Sequence, residues 1–211
     1  FLTGDIDKAY IQNLESLGYT DITASRLADL AIHRVSREYI KDMQALWGTN
    51  LSLSKIVEFR IHGVTKEYVA EMVKAGFKDL TPTKAVELKI HGLTAGYIQG
   101  VRSFGLGEVD LDRVLQFKIH GVTKDYIDQM VKAGFKNLTP DKIVELKIHG
   151  LTAKYIKDVR SAGFPDLSLK QALEFKIHGI DKAYIDYCRE LFKGKREVTP
   201  ELVIRMKISG I

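Results

Sequence analysis

The sequence predicts an all-α fold, a right-handed α-solenoid of seven two-helix repeats. Three observations predict it: histidine recurs at a constant step of 29 residues, tyrosine recurs at the same step, and threonine and glycine bound two helix-length segments in each copy. A period of roughly 20 to 50 residues is typical of arrays in which each repeat buries its apolar face only against its neighbours. The periodic residues are His33, His62, His91, His120, His149 and His178, with Tyr10, Tyr39, Tyr68, Tyr97, Tyr126, Tyr155 and Tyr184.

The whole chain, residues 1–211, is predicted to be one repeat domain. A longer repeat of 58 residues, twice the 29-residue period, is also present. Residues 63–82 reappear almost unchanged as residues 121–140. The end copies deviate, as terminal caps of an array do. Gly4 and Ser209 stand in places of histidines, the second after a two-residue insertion. The predicted repeats are residues 4–32, 33–61, 62–90, 91–119, 120–148, 149–177 and 178–211.

The first helix of a repeat is illustrated by TKEYVAEMVKAG, residues 65–76. Thr65 is a favourable N-cap, and Glu67 places negative charge in the first turn, where the helix dipole favours it. Gly76 can adopt the left-handed conformation that ends a helix. Apolar residues recur at helical spacing and predict the buried face. They are Tyr68, Val69, Met72 and Val73, with Phe77 and Leu80 anchoring the following linker.

The second helix is illustrated by TPTKAVELKIHG, residues 81–92. Thr81 suits the N-cap, Pro82 the first helical position and Gly92 the residue after the helix. The stretch VELKI alternates apolar and polar residues as a strand does, which leaves a leucine-rich-repeat-like α/β solenoid as the alternative. The helix is favoured, because the threonine–proline start and glycine stop fit a helix of about ten residues and the asparagines expected of leucine-rich repeats are missing.

The histidines are predicted to be structural. Residues repeated once per packed helix pair lie roughly 10 Å apart, whereas metal ligands must lie about 2 Å from a shared ion. No HExxH motif and no unique nucleophile or base occurs, so we expect neither an enzyme nor a cofactor. Each imidazole is expected to cap helix carbonyls or to bond to the next repeat. Because tyrosine shares the period, we expect the two series to share polar contacts.

Composition sets further bounds. The net charge of +5 permits an anionic partner without requiring one. The single cysteine, Cys188, excludes an intramolecular disulfide and is expected to pack rather than react. No apolar run is long enough to span a bilayer. The chain begins FLTGDID without a methionine and ends within a motif, which we interpret as a fragment of a longer protein.

The repeat consensus G-V/L-T-x-x-Y-I/V, G-F-x-x-L-T/S, L-K-I-H-G resembles the short tandem repeats of bacterial proteins related to the BlaR1/MecR1-type M56 antirepressor peptidases. The resemblance covers nearly the whole chain, but the peptidase motif of that family is absent from these residues. It implies a soluble accessory or sensing segment of a larger membrane-associated protein, and a periplasmic or other extracytoplasmic location.

The function expected from these observations is a non-catalytic module that binds a protein or peptide. Solenoids offer an extended surface, and the residues that differ between copies are the natural contact candidates. These are Trp47, Phe104, Tyr187, Lys193, Lys195 and Arg196. The alternative is a nucleic-acid-binding array, because KIHGVTKEYV partly resembles a helix-hairpin-helix turn. Acidic residues such as Glu67 and Asp125 would repel phosphate there, so nucleic acid is the less favoured partner.

Overall fold

The structure is a computed structural model that describes residues 7–211, and every regular element in that range is an α-helix. The all-α repeat prediction is confirmed and the strand-containing alternative is wrong. Each predicted repeat holds two helices, with α4 running one residue past the predicted end of the second repeat. Gly4, at the start of the first repeat, lies outside the described residues. The helices are α1 Lys8–Ser16, α2 Ala24–Ile32, α3 Arg37–Trp47, α4 Leu53–His62, α5 Lys66–Ala75, α6 Pro82–Ile90, α7 Ala95–Arg102, α8 Leu111–Ile119, α9 Lys124–Lys132, α10 Pro140–Ile148, α11 Ala153–Ser161, α12 Leu169–Ile177, α13 Lys182–Leu191 and α14 Pro200–Ile208.

The predicted helix boundaries in the third repeat are confirmed. The Thr65 hydroxyl accepts a hydrogen bond from the backbone N–H of Tyr68, and the Thr81 hydroxyl accepts one from Lys84. Pro82 occupies the first turn of α6. Gly92 follows that helix with a φ of +63°, a left-handed conformation that a residue with a Cβ adopts only at a cost.

Helices of the same kind stack on one another. The chain divides into two compact halves, Phe1–Gly100 and Val101–Ile211. In the first half α1, α3 and α5 form one layer and α2, α4 and α6 another. In the second half α11 packs on α13, α8 on α10 and α12 on α14. Within each half, successive second helices therefore bring their carboxyl ends to a common edge, since each copy runs in the same direction.

The core is built from one apolar stripe per helix. Each second helix contributes a fully buried large residue at the same position, for example Phe59, Phe117 and Phe175. Tyr68, Val69 and Met72 are buried as predicted, but Val73 is 41% exposed. The buried face of α5 is thus narrower than the sequence stripe. Within residues 7–211 no helix is both long and apolar enough to pass through a membrane.

Candidate functional site

Tyrosine side chains on the first helices bond to the backbone just after the second helix of their repeat. In each case the tyrosine hydroxyl donates a hydrogen bond to a backbone carbonyl. The acceptor lies two residues after the next histidine position in the sequence. The bonds join Tyr10 to Val35 (2.7 Å), Tyr39 to Val64 (2.6 Å), Tyr68 to Leu93 (3.1 Å), Tyr126 to Leu151 (2.9 Å), Tyr155 to Ile180 (2.5 Å) and Tyr184 to Ile211 (2.5 Å).

A basic side chain from the second helix of the same repeat covers each of several tyrosine rings. Such cation–π contacts stabilise by about 0.5 to 1 kcal/mol at exposed sites. The pairs, with cation-to-centroid distances, are Arg60 on Tyr39 (5.4 Å), Lys89 on Tyr68 (4.2 Å), Lys147 on Tyr126 (4.5 Å), Lys176 on Tyr155 (4.9 Å) and Lys207 on Tyr184 (4.3 Å). The lysine of LKIHG is therefore accounted for by packing within its repeat, and the invariant tyrosine by that packing together with its hydrogen bond to the backbone beyond it.

The first repeat lacks the basic residue that covers the tyrosine ring in later repeats. Ala31 occupies the position that Arg60 or Lys89 holds in later copies. A cavity of about 390 Å³ lies there, lined by Tyr10, Ala31, Arg37 and neighbouring residues. The hydroxyl of Tyr10 keeps its bond to Val35, so the hydrogen bond forms without the cation.

Burial raises the pKa of the tyrosine hydroxyls, as expected for desolvated phenols. It raises the pKa of Tyr39, Tyr68, Tyr97 and Tyr126 to about 12. Burial also raises the pKa of Tyr155, and the Asp181 carboxylate adds to that shift. These hydroxyls consequently stay protonated as donors across the physiological pH range.

The glycine and the apolar residue after it form the helix stop. The N–H of Gly63 donates to the carbonyl of Arg60, and that of Val64 donates to the carbonyl of Phe59. Val64 and Phe59 are both fully buried, which completes the hydrophobic contact of a Schellman-type stop. A helix-hairpin-helix turn would direct such N–H groups at a phosphate. Here two of them are already used within the chain.

The histidine side chains do not form the structural hydrogen bonds that the sequence analysis expected of them. Among residues 7–211 no histidine side chain takes part in a hydrogen bond, and each is half-buried or exposed. The expected tyrosine–histidine contact is not formed, because the tyrosine hydroxyl reaches the backbone carbonyl two residues beyond the histidine. The described residues also hold no group of three or more potential metal ligands among histidine, cysteine, aspartate and glutamate.

An isoleucine precedes each histidine position, and every copy of it is exposed. We call these seven residues the isoleucine ladder. Their exposed fractions run from 38% at Ile119 to 71% at Ile32. Each lies at the carboxyl end of a second helix, so the members in one half share the edge formed by those ends. The ladder comprises Ile32, Ile61 and Ile90 in the first half and Ile119, Ile148, Ile177 and Ile208 in the second.

The ladder was missed in the sequence because its isoleucines were assigned to the alternating VELKI pattern. A signal was present: only tyrosine and isoleucine occupy their positions in all seven copies, including the divergent end copies. Tyrosine has a structural explanation. Isoleucine has lower helix propensity than lysine, leucine or alanine, so an exposed isoleucine in a last helical turn is not explained by helix stability.

Two of the residues singled out for their divergence are half-buried and pack against neighbouring aromatic rings. The indole N–H of Trp47 donates to the carbonyl of Leu80 at 2.8 Å, and its ring lies 4.9 Å from that of Phe59. The ring of Phe104 stacks on Phe117 with centroids 6.4 Å apart. Both are therefore packing residues rather than exposed contact anchors. Cys188 is fully buried, and desolvation raises the pKa of its thiol.

The other divergent residues lie at the surface near the carboxyl terminus. Tyr187 is 51% exposed, with its ring 6.1 Å from that of Tyr184. The ammonium of Lys193 pairs with Glu190 at 3.3 Å, and the guanidinium of Arg196 lies 4.1 Å from the centroid of Phe192. Lys193 and Arg196 border a cavity of about 680 Å³; its lining also includes Asp186, Glu190, Arg189 and Glu197. Lys195 is exposed beside it.

The lining of that cavity has three basic and three acidic side chains, so it offers no net charge to select a ligand. The isoleucine ladder is the more distinctive surface. Comparisons with models of protein families, with curated proteins and with solved structures gave no match, so the site rests on its own geometry.

Proposed function

We propose that this chain is a non-catalytic interaction module and that the isoleucine ladder within each half is a contact surface. The observation that carries the proposal is an exposed isoleucine at one fixed position in all seven copies. Exposed apolar side chains that lie in rows rather than singly mark surfaces that another molecule covers.

The energetics favour a partner that contacts several isoleucines at once. Complete burial of an isoleucine side chain contributes about 1.5 to 3 kcal/mol. The ladder residues are already about half covered, so each offers on the order of 1 kcal/mol. Association costs at least about 4 kcal/mol in lost translational and rotational freedom. A small ligand at one position would not repay that cost, whereas an elongated protein would.

The spacing defines what such a partner presents. Neighbouring second helices pack roughly 8 to 10 Å apart, and residues seven positions apart on an α-helix are about 10.5 Å apart. A helix with one apolar residue per heptad therefore matches the ladder. The partner is a protein with a long amphipathic helix.

The proposal is tested by site-specific photo-crosslinking in the native host. A photoreactive residue is placed at Ile177 and, as a matched control, at exposed Lys170 near the opposite end of the same helix. The expected result is one protein crosslinked from Ile177 and from Ile148 but not from Lys170. Identical products from all three positions, or none from the ladder, would refute the proposal.

The crosslinked partner is then purified and its affinity measured by titration calorimetry. Ile148→Ser and Ile177→Ser should each weaken binding about fivefold, which corresponds to about 1 kcal/mol. Val131→Ser is the control, because Val131 is 51% exposed but lies outside the ladder. An equal loss for all three variants would show that exposed apolar area in general, and not the ladder, determines binding.

The resemblance to the repeats of M56-type antirepressor peptidase proteins supports a second, finer proposal. In it the module is the accessory or sensing part of a larger membrane-associated protein, on the extracytoplasmic side. The parent gene tests this directly. Membrane-spanning segments and an HExxH motif encoded in the same reading frame are expected, and a parent protein with neither would overturn it.

A further inference from the structure

A groove between α9 and α11 is lined by three basic side chains and no acidic one. The cavity measures about 460 Å³, within the range of about 300 to 1,000 Å³ usual for ligand sites. Its floor is apolar, formed by Ala133 and Ala153 over the fully buried Ile156. Lys132, Lys157 and Arg160 stand around it with Gln129.

The three basic side chains have no acidic partner. Among residues 7–211 none of Lys132, Lys157 and Arg160 takes part in an ion pair. The nearest carboxylates in sequence are occupied, since Asp128 pairs with Lys124 at 3.0 Å and Asp158 pairs with Lys154 at 2.6 Å. The groove therefore carries uncompensated positive charge.

Arg160 is held in place and keeps unused hydrogen-bonding capacity. One guanidinium Nη donates to the carbonyl of Ala133 at 2.5 Å and the other to the carbonyl of Leu167 at 3.2 Å. Its Nε is buried without a hydrogen-bond partner, which is costly unless a ligand or water satisfies it. The guanidinium also lies 5.1 Å from the centroid of Phe135. Its position is thus fixed before any ligand arrives.

The 58-residue duplication provides an internal comparison. Five of the seven lining residues are the same one copy earlier, where the sequence has Lys74, Ala75, Ala95, Ile98 and Arg102. The other two differ, and both differences make the later copy more positive. Gln129 corresponds to Glu71, and Lys157 corresponds to Gln99.

We propose that the α9–α11 groove binds an acidic peptide segment of the partner protein. A carboxylate of the segment lies among Lys132, Lys157 and Arg160, and an adjacent apolar side chain of the segment covers the floor at Ala133 and Ala153. Charge complementarity selects the carboxylate, and the apolar floor selects a peptide over a bare inorganic anion. This inference rests on the proposed function, because it describes a second contact of the same protein partner.

The test uses the full chain and a fluorescein-labelled peptide of alternating glutamate and leucine. Fluorescence anisotropy is measured against peptides in which glutamine or lysine replaces glutamate. The acidic peptide should bind at least about tenfold more tightly than the glutamine peptide, and added salt should weaken it. The lysine peptide should not bind. Equal binding of the acidic and glutamine peptides would overturn the proposal.

Two variants restore the residues of the earlier copy. Gln129→Glu and Lys157→Gln should each weaken binding of the acidic peptide about three- to tenfold, while Lys170→Gln, an exposed lysine on α12 outside the groove, should not change it. Both groove substitutions are at exposed positions, so folding is preserved and is checked by circular dichroism. If all three variants bind alike, the groove is not the site.

Competition separates the peptide from other anions. Inorganic phosphate and octanoate are added to the preformed peptide complex, and the proposal expects neither to displace the peptide at equal ionic strength. Displacement by either at millimolar concentration would overturn the peptide assignment in favour of a small-anion site. Ile90→Ser is included as a ladder variant and should leave peptide affinity unchanged. Failure of the groove variants together with ladder-specific crosslinks would reject this inference and leave the proposed function standing.

Discussion

Removing one tyrosine hydroxyl tests the central structural interpretation, that these residues bind repeats together. Tyr126 is 8% exposed, and its hydroxyl donates to the carbonyl of Leu151 at 2.9 Å. Tyr126→Phe deletes that donor and keeps the ring, so the contact with Lys147 is retained. The substitution therefore isolates the hydrogen bond.

The expected loss of stability is about 1 to 2 kcal/mol. A net intramolecular hydrogen bond contributes about 0.5 to 1.5 kcal/mol, and a buried acceptor left without its partner adds to that cost. The acceptor lies at a buried residue, since Leu151 is 1% exposed. Tyr187→Phe should change stability by less than about 0.5 kcal/mol, because Tyr187 is half exposed.

Urea unfolding followed by far-ultraviolet circular dichroism measures both variants. The midpoint for Tyr126→Phe should fall clearly below that of the wild type, and the midpoint for Tyr187→Phe should not. Hydrogen exchange of the Leu151 region locates the effect, because an array can open locally before it unfolds globally. Equal midpoints for the two variants would refute the view that the hydroxyl links repeats.

Three further predictions concern the same framework. Ala31→Lys should fill the cavity beside Tyr10 and raise the melting temperature through a cation–π contact of about 0.5 to 1 kcal/mol, whereas Ala45→Lys on an exposed part of α3 should not; a lower melting temperature for Ala31→Lys would contradict this. Gly150→Ala should destabilise by about 1 to 2 kcal/mol, because its φ is +65°, while Gly96→Ala within α7 should be neutral or stabilising by up to about 1 kcal/mol; equal thermal shifts would count against the helix-stop argument. Alkaline pH should destabilise the fold: the folded-state pKa of Tyr39, Tyr68 and Tyr126 is raised to about 12 from an ordinary 10, so the folded state binds protons more tightly and stability falls as pH rises from 10 through 12. Urea midpoints at pH 9 and pH 11 measure that loss, which should be smaller in Tyr126→Phe.

The period made most of the fold predictable. Threonine at 65 and 81, Pro82 and Gly92 each have one strongly preferred place in a helix hairpin, and the structure has them there. The alternating VELKI pattern misled only in part. Val86 and Leu88 are buried and Ile90 is exposed, so a pattern that suggested a strand describes two core residues followed by a surface residue in one helix.

The candidate site was less predictable, for a physical reason. The sequence alone does not show whether an apolar side chain is buried in the fold, because its burial depends on how helices from different repeats pack. Ile90 and Val86 look alike in the sequence, yet only Val86 faces the neighbouring helix layer. The opposite holds for Trp47, whose divergence from the other copies suggested a surface contact and whose ring instead packs against Phe59.

The direction of the tyrosine bonds along the chain also sets when each bond can form during synthesis. Five of the six bonds join residues 25 positions apart, always from an earlier residue to a later one. Each tyrosine must therefore wait for the next repeat to be made, a delay of a few seconds at about 5 to 20 residues per second. Contacts of such short range favour rapid folding. The growing array then has one unfinished end at any moment, and a chain truncated between Tyr126 and Leu151 keeps that end, with the Tyr126 hydroxyl lacking its carbonyl acceptor.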